Sequence, residues 1–250
     1  MDFLTMNANA PYGDVIPFSF PGVANVGCAF STIGAGSMGL GLQPEHDDAA
    51  RHNRLRLLHT LGLERWVELK QVHGDALLAD PQATDPSTLS HLAADGAATK
   101  EKGLALTIKT ADCQPLLLAD RRGRAVAALH VGWRGNVLKF PVTGVIRFCV
   151  IYNLDPSEVL AVRGPSLGPT AAEFVNFDAE WPSEFRPWFD EQSKRMDLWE
   201  LTKFQLIEAG LLPGHIFSLD LCTQSLPELF FSHRRKQAGR QTALIWIKEM

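Results

Sequence analysis

The chain has 250 residues, which fits one large core at a prior of about 150 residues per domain. Hydrophobic residues make up 46% and charged residues 21%, far from the composition of a disordered chain. The 24 basic and 28 acidic residues leave a net charge of −4, which supplies no electrostatic footprint for nucleic acid. The longest apolar stretch, Val142 to Ile151, is broken by Arg147 and falls short of the roughly 20 residues that span a bilayer, so no membrane partner is expected. The first basic residue is Arg51, so no secretory signal with a basic start is expected. The four cysteines, Cys28, Cys113, Cys149 and Cys222, form no CxxC pair and are too sparse for a disulfide scaffold. A reduced, cytoplasmic protein follows, with every cysteine except Cys113 read as a small buried hydrophobe.

No repeat, low-complexity tract or long linker divides the chain, so residues 1–250 read as a single domain. The first 45 residues, rich in Gly and Pro with Phe18, Phe20 and Phe30 among them, predict short strands and tight turns. Asp47 reads as the N-cap of a helix that carries Leu55 and Leu58 inward and stops near Gly62. A β-rich run from Trp66 to Val72 follows and ends in a turn at Gly74. Three apolar runs, Leu104 to Lys109, Pro115 to Ala119 and Ala125 to Val131, predict buried strands. Arg121-Arg122-Gly123-Arg124 is short enough for a hairpin loop between the last two. After Gly135 a helix is expected to bury Val142, Val145, Ile146, Cys149 and Val150, with Pro141 tolerated near its first turn. A later helix spans about Leu198 to Ala209 and ends at Gly210, and Thr242 to Ile247 predicts a terminal strand. The class is α+β.

Three segments pair metal-capable side chains with small or glycine neighbours at predicted strand ends: Gln71-Val72-His73-Gly74, Thr110-Ala111-Asp112-Cys113-Gln114-Pro115 and Leu129-His130-Val131-Gly132-Trp133-Arg134-Gly135. Functional side chains concentrate where rigid elements hand over to loops, so a shared site is geometrically reasonable. The separations of 40 and 17 residues between His73, Cys113 and His130 match no compact zinc-finger spacing, and spacing alone is weak evidence for a metal.

The flanking residues resemble the laccase-domain family, also called the multicopper polyphenol oxidase, peptidoglycan editing factor or YfiH-like family. The resemblance rests on the three segments above, on Ala94-Asp95-Gly96 with Thr99, and on Gly164-Pro165, Asp197-Leu198 and Cys222-Thr223. Phe231-Ser232-His233-Arg234-Arg235 and Gly239-Arg240 complete the series, which runs in the family's order from about Phe30 to the C-terminus. It implies a single α/β/β/α domain related to the catalytic domain of cytotoxic necrotising factor, with one zinc held by His73, Cys113 and His130. Three protein ligands leave a fourth position open, the pattern of a catalytic zinc, which lowers the pKa of bound water or acts as a Lewis acid. Copper is the weaker alternative. The remaining histidines are scattered without an HxH pair, and the motif segments contain no methionine for a blue-copper axial position.

The resemblance further implies a purine nucleoside enzyme that performs phosphorolysis of adenosine, inosine and methylthioadenosine, deamination of adenosine, or both. Deamination needs a carboxylate to shuttle the proton, and Asp112 is the nearest candidate by sequence; orienting backbone or a ligating histidine is its other role. Phosphorolysis needs an anion site, for which Arg134, Arg234, Arg235 and Arg240 are candidates, each equally readable as a structural ion pair. Trp133 offers either a base-stacking face or core packing. One departure matters. The family's Phe-Ser-Thr-Arg reads Phe30-Ser31-Thr32-Ile33 here, and the glycine-rich run Gly34 to Gly41 reads as a plain loop. Two other readings stand beside this one: a Cys-His hydrolase with Cys113 as nucleophile and His130 as base, and a cell-wall editing factor.

Overall fold

The structure, a computed structural model, describes residues 13–249. In chain order come β1 (Val15–Phe18), β2 (Val26–Ser31), α1 (Asp47–Thr60), β3 (Arg65–Val67), β4 (Leu77–Ala79), β5 (Gly96–Thr99), β6 (Leu104–Thr110), β7 (Gln114–Asp120) and β8 (Val126–Val131). Then follow α2 (Trp133–Val137), α3 (Phe140–Tyr152), β9 (Val159–Arg163), α4 (Phe177–Glu180), β10 (Phe189–Asp190), β11 (Arg195–Met196), α5 (Leu198–Glu208), β12 (Ile216–Ser218) and β13 (Gln241–Ile247). One sheet has the order β1-β2-β13-β6-β3 and a second the order β12-β9-β7-β8-β5-β4, with β10 and β11 as a separate small ribbon.

The apolar runs that predict buried strands do so because both faces of the central strands are covered. Along β7 and β8, Leu117, Ala119, Val126 and Ala128 point inward to Cys28, Phe30, Leu106 and Ile245 of the facing sheet. The alternate residues Leu116, Leu118, Ala127 and Leu129 point outward to Phe140, Val145, Phe148 and Leu206 of α3 and α5. On the far side, Leu57 and Leu58 of α1 cover Trp66, Ala105 and Leu244. The layers are therefore α/β/β/α, as the resemblance implies. Hairpin pairing of β7 and β8 puts Gln114 opposite Val131 and Pro115 opposite His130, which brings Cys113 beside the end of β8. The basic loop between them is a solvated turn at Gly123, where φ is +64°.

Several expectations need correction. Leu55 is exposed, and α1 buries Ala50, Arg54, Leu57 and Leu58 instead. Asp47 is the first residue of α1, with His46 at the cap; its carboxylate accepts the Gly41 N–H at 2.8 Å. The strand expected over 66–72 stops at Val67, because residues 68–72 leave the sheet and pair only through a bridge from Lys70 to Ala93. The helix expected after Gly135 is two helices, broken where Lys139 adopts φ +54°. Ile146 and Val150 face solvent, and the buried face of α3 is Phe140, Pro141, Gly144, Val145, Phe148 and Cys149. Cys28 and Cys149 are buried as expected, whereas Cys222 is half-buried, with its Sγ 3.3 Å from the Gly168 N–H. No helix is long and apolar enough to cross a membrane among the described residues. Residues 1–12, part of the predicted turn-rich segment, lie outside the described chain.

Candidate metal centre

The sheet end formed by the 110–114 turn and the end of β8 gathers the three residues singled out by sequence. One ligand atom each from His73, Cys113 and His130 lies within 4.8 Å of the others. Cys113 Sγ is 3.9 Å from His73 Nε2, and the two imidazoles meet edge to face with centroids 4.8 Å apart. His130 is buried, Cys113 half-buried and His73 exposed, so the triad is walled on one side and open on the other.

Two carboxylates hold the turns that carry these ligands. Asp95, fully buried, accepts the main-chain N–H groups of Val72 at 3.1 Å, His73 at 2.9 Å and Gly74 at 2.7 Å. These three consecutive bonds support the left-handed backbone of His73, φ +60°, which a non-glycine residue adopts only when its surroundings enforce it. Asp95 Oδ1 also lies 2.7 Å from His130 Nδ1, and its main-chain carbonyl accepts the His130 N–H at 2.7 Å. Proton placement on Nδ1 leaves the Nε2 lone pair for a metal. Asp112, at φ +89°, accepts from Thr223 Oγ1 at 2.6 Å, Ser232 Oγ at 3.1 Å and the Arg234 N–H at 2.7 Å. Its carboxylate thereby ties the Cys113 turn to the C-terminal loop.

The electrostatics follow from this packing. Burial pushes the Cys113 thiol up, but the adjacent His130 and His73 outweigh it and bring the thiol down to about 6. Burial alone pushes His130 down, and the Cys113 thiolate and Asp95 outweigh it and raise the imidazole to about 9. Burial likewise pushes Asp95 up, while His130 and the N–H groups of Gly74 and Val72 hold its carboxyl below the usual range. Both shifts favour a thiolate beside an imidazolium in the metal-free protein.

The donor set fits a metal. Zinc bonds of about 2.0–2.1 Å to nitrogen and 2.3 Å to sulfur place tetrahedral ligands roughly 3.3–3.7 Å apart. Here Cys113 Sγ and His73 Nε2 are 3.9 Å apart and the set spans at most 4.8 Å, so a small inward shift of the side chains closes the site. Among the described residues this is the one group of three or more His, Cys, Asp or Glu side chains placed to hold a metal ion. The described methionines, Met38 and Met196, sit in hydrophobic clusters. Gly132 borders the site: a Cβ there would lie 3.1 Å from Cys113 Sγ and 3.2 Å from the His73 ring. Gly132→Ala is therefore expected to weaken metal binding about tenfold or more with little change in Tm, read by competition with a chromophoric chelator.

The other predicted residues separate by environment. Arg235 is consumed by the carbonyls of Thr223, Gln224 and Phe230 and by Gln237 Oε1. Arg234 donates to the Glu173 carbonyl at 2.8 Å and lies over Phe174. Arg134 is exposed and stacks on Trp133 at 4.3 Å, while Trp133 packs against Phe174 and Trp181, so that ring serves an aromatic cluster. Arg240 donates from Nη1 to the Ala238 and Gly239 carbonyls at 2.8 Å and the Gln237 carbonyl at 3.4 Å, with no bond from Nη2 among the described residues. It interacts electrostatically with both Cys113 and Asp112, and partial burial holds its guanidinium below its ordinary value. The glycine-rich loop packs on Arg240, with Ser37 Oγ accepting the Arg240 N–H and the Met38 N–H donating to its carbonyl. Asp95 and Gly132 were visible only as motif members; nothing in their residue type or spacing marks their roles. A cleft of about 250 Å3 opens between β9, β12 and α5, but none of the triad lines it, so donor chemistry identifies the site here.

Comparison with known proteins identifies the family and the fold. Residues 27–248 match the family described as multi-copper polyphenol oxidoreductase laccase. The chain is 34% identical over 95% of its length to a protein of Xylella fastidiosa named purine nucleoside phosphorylase, covering 94% of that protein. It is 33% identical over 81% of its length to the Escherichia coli protein named purine nucleoside phosphorylase YfiH, covering 83% of it. The crystal structure of Bacillus licheniformis hypothetical protein YfiH superposes with a TM-score of 0.80 at 25% identity, covering 96% of this chain and 98% of that one. The chain belongs to the multi-copper polyphenol oxidoreductase laccase family and has its YfiH-like fold.

Proposed function

We propose that the protein is a zinc-dependent purine nucleoside phosphorylase acting on adenosine, inosine or methylthioadenosine. The observation that carries this reading is an open His-Cys-His donor set with a half-buried guanidinium, Arg240, in electrostatic reach of the same cysteine. The names of the relatives supply the substrate class. Zinc bound by His73, Cys113 and His130 would supply Lewis acidity at the open position. The chain's own residues do the rest. In phosphorolysis a phosphate oxygen bonds to the ribose C1′ as the bond from C1′ to N9 breaks, and the purine takes the electron pair and a proton. Arg240 holds the phosphate, in a chain where Ile33 stands at the family's arginine position, and Asp95 keeps both histidines oriented. Deamination is the less favoured arm, because the Asp112 carboxylate is fully engaged by Thr223, Ser232 and Arg234. Asp112 is instead a positioning residue.

Arg240→Ala is expected to raise the KM for phosphate about tenfold or more while the KM for nucleoside changes less than threefold. Equal rises in both would remove Arg240 from the phosphate site.

A second reading has its own observation. Cys113, His130 and Asp95 also have the order of a nucleophile, base and orienting acid, with the thiol brought down to about 6. Chelation separates the two. Loss of turnover on metal removal and its return with zinc supports the phosphorylase; activity that survives chelation but not alkylation of Cys113 supports a Cys-His hydrolase.

A further inference from the structure

The outer helical layer over the six-stranded sheet carries an apolar face that nothing in the described chain covers. On α3, Ile146 and Val150 are exposed, Val150 by 76%, and half-buried Val142 continues the same i, i+4 ridge. Leu138, in the turn before α3, extends it. On α5, Phe204 and Ile207 are exposed at i, i+3, Phe204 with one side against Trp188 and the other open. The two helices pack through Val145, Phe148, Cys149, Leu206 and Ala209. Lys139 at the start of α3 reaches Glu208 at the end of α5 at 3.6 Å, so the exposed ridges flank one seam. Among the charged residues, α3 has only Arg147.

We infer that this seam is the interface of a two-fold symmetric homodimer. Its five exposed apolar side chains, Leu138, Ile146, Val150, Phe204 and Ile207, are 40–76% exposed and supply the apolar centre that an interface of about 800 Å2 per partner needs. The rim favours a second copy over a strongly charged partner. Lys139 lies by Glu184 and Glu208, Lys203 by Glu200, and Arg147 by Asp75, so both signs are present around the patch. A rim of mixed sign is what a self-complementary contact uses. The first described residues do not occupy the seam: Asp14 pairs with Arg56 of α1, on the opposite outer layer.

Sedimentation velocity of the full chain across about 1–200 μM tests this. The wild type is expected to sediment as a dimer in the upper half of that range, and Ile146→Glu and Val150→Asp each to raise the dissociation constant at least 100-fold, because symmetry buries each new charge twice. Val175→Asp, on an exposed apolar residue remote in sequence from both helices, is expected to leave the dimer intact. A wild-type circular dichroism spectrum at about 20 °C and a cooperative melt establish that the variants are folded, and Leu138→Lys replaces any that are not. A wild type monomeric throughout, or a dimer indifferent to both seam charges, would overturn the inference.

Discussion

Cys113→Ser is expected to fold with a lowered Tm, because His130 loses its thiolate partner, and to bind zinc at least 1,000-fold more weakly, with loss of turnover. The hydroxyl keeps the volume but supplies no thiolate, and metal sites take sulfur only in that form. The pH dependence carries the same information with a defined sign. In the metal-free protein His130 is raised to about 9, so it is an imidazolium through neutrality, and its contribution to folding is present below the ordinary value of about 6.5 and lost as pH rises through about 9. Cys113 is lowered to about 6, so its contribution is present above the ordinary thiol value and lost as pH falls through about 6. The two overlap between about 6 and 9, where a metal must displace one proton, that of His130. Zinc affinity is therefore expected to rise about tenfold per pH unit from pH 6.5 to 8.5 and level off above about 9. A flat profile in that window would show that no imidazolium is displaced.

Glu68→Ala is expected to be the most damaging single change to stability away from the triad. Glu68 and Arg54 are both fully buried and share two hydrogen bonds, at 2.7 and 3.0 Å, and Lys109 closes on the same carboxylate. Arg54 also donates to the Met38 carbonyl at 2.6 and 2.8 Å, which anchors the glycine-rich loop to α1. Removing the carboxylate leaves a guanidinium buried without its charge partner, at a cost of about 3–5 kcal/mol. For a chain of this size that lowers Tm by roughly 6–20 °C, measurable by calorimetry. Glu68→Gln retains an acceptor and should fall between the two. A loss under 1 kcal/mol in Glu68→Ala would mean that water or carbonyls satisfy Arg54 unaided.

How far the sequence reaches depends on which physical signal each element emits. β6, β7 and β8 were legible because strands buried on both faces read as unbroken apolar runs. The face of α3 was not, because that helix is apolar around most of its circumference. Ile146 and Val150 satisfy helical periodicity as well as Val145 and Cys149 do, and only the sheet beneath selects among them. The break at Lys139 rests on a left-handed residue that no local propensity announces. At the site, His73, Cys113 and His130 could be named because metal chemistry is written in residue type. Asp95 acts through main-chain N–H groups and one imidazole, so its part depends on a turn geometry visible only once folded. The four arginines were indistinguishable in sequence; carbonyls, aromatic faces and the neighbourhood of Cys113 separate them.

Chromatography of products from zinc-loaded protein incubated with inosine, adenosine and methylthioadenosine, with and without phosphate, tests the phosphorylase reading. Free base and ribose 1-phosphate, or its methylthio analogue, are expected only when phosphate is present, with Ile33 tolerated. Inosine forming from adenosine without phosphate, with no release of base from any substrate, would contradict that reading, as would no turnover of any nucleoside by protein shown to carry one zinc per chain.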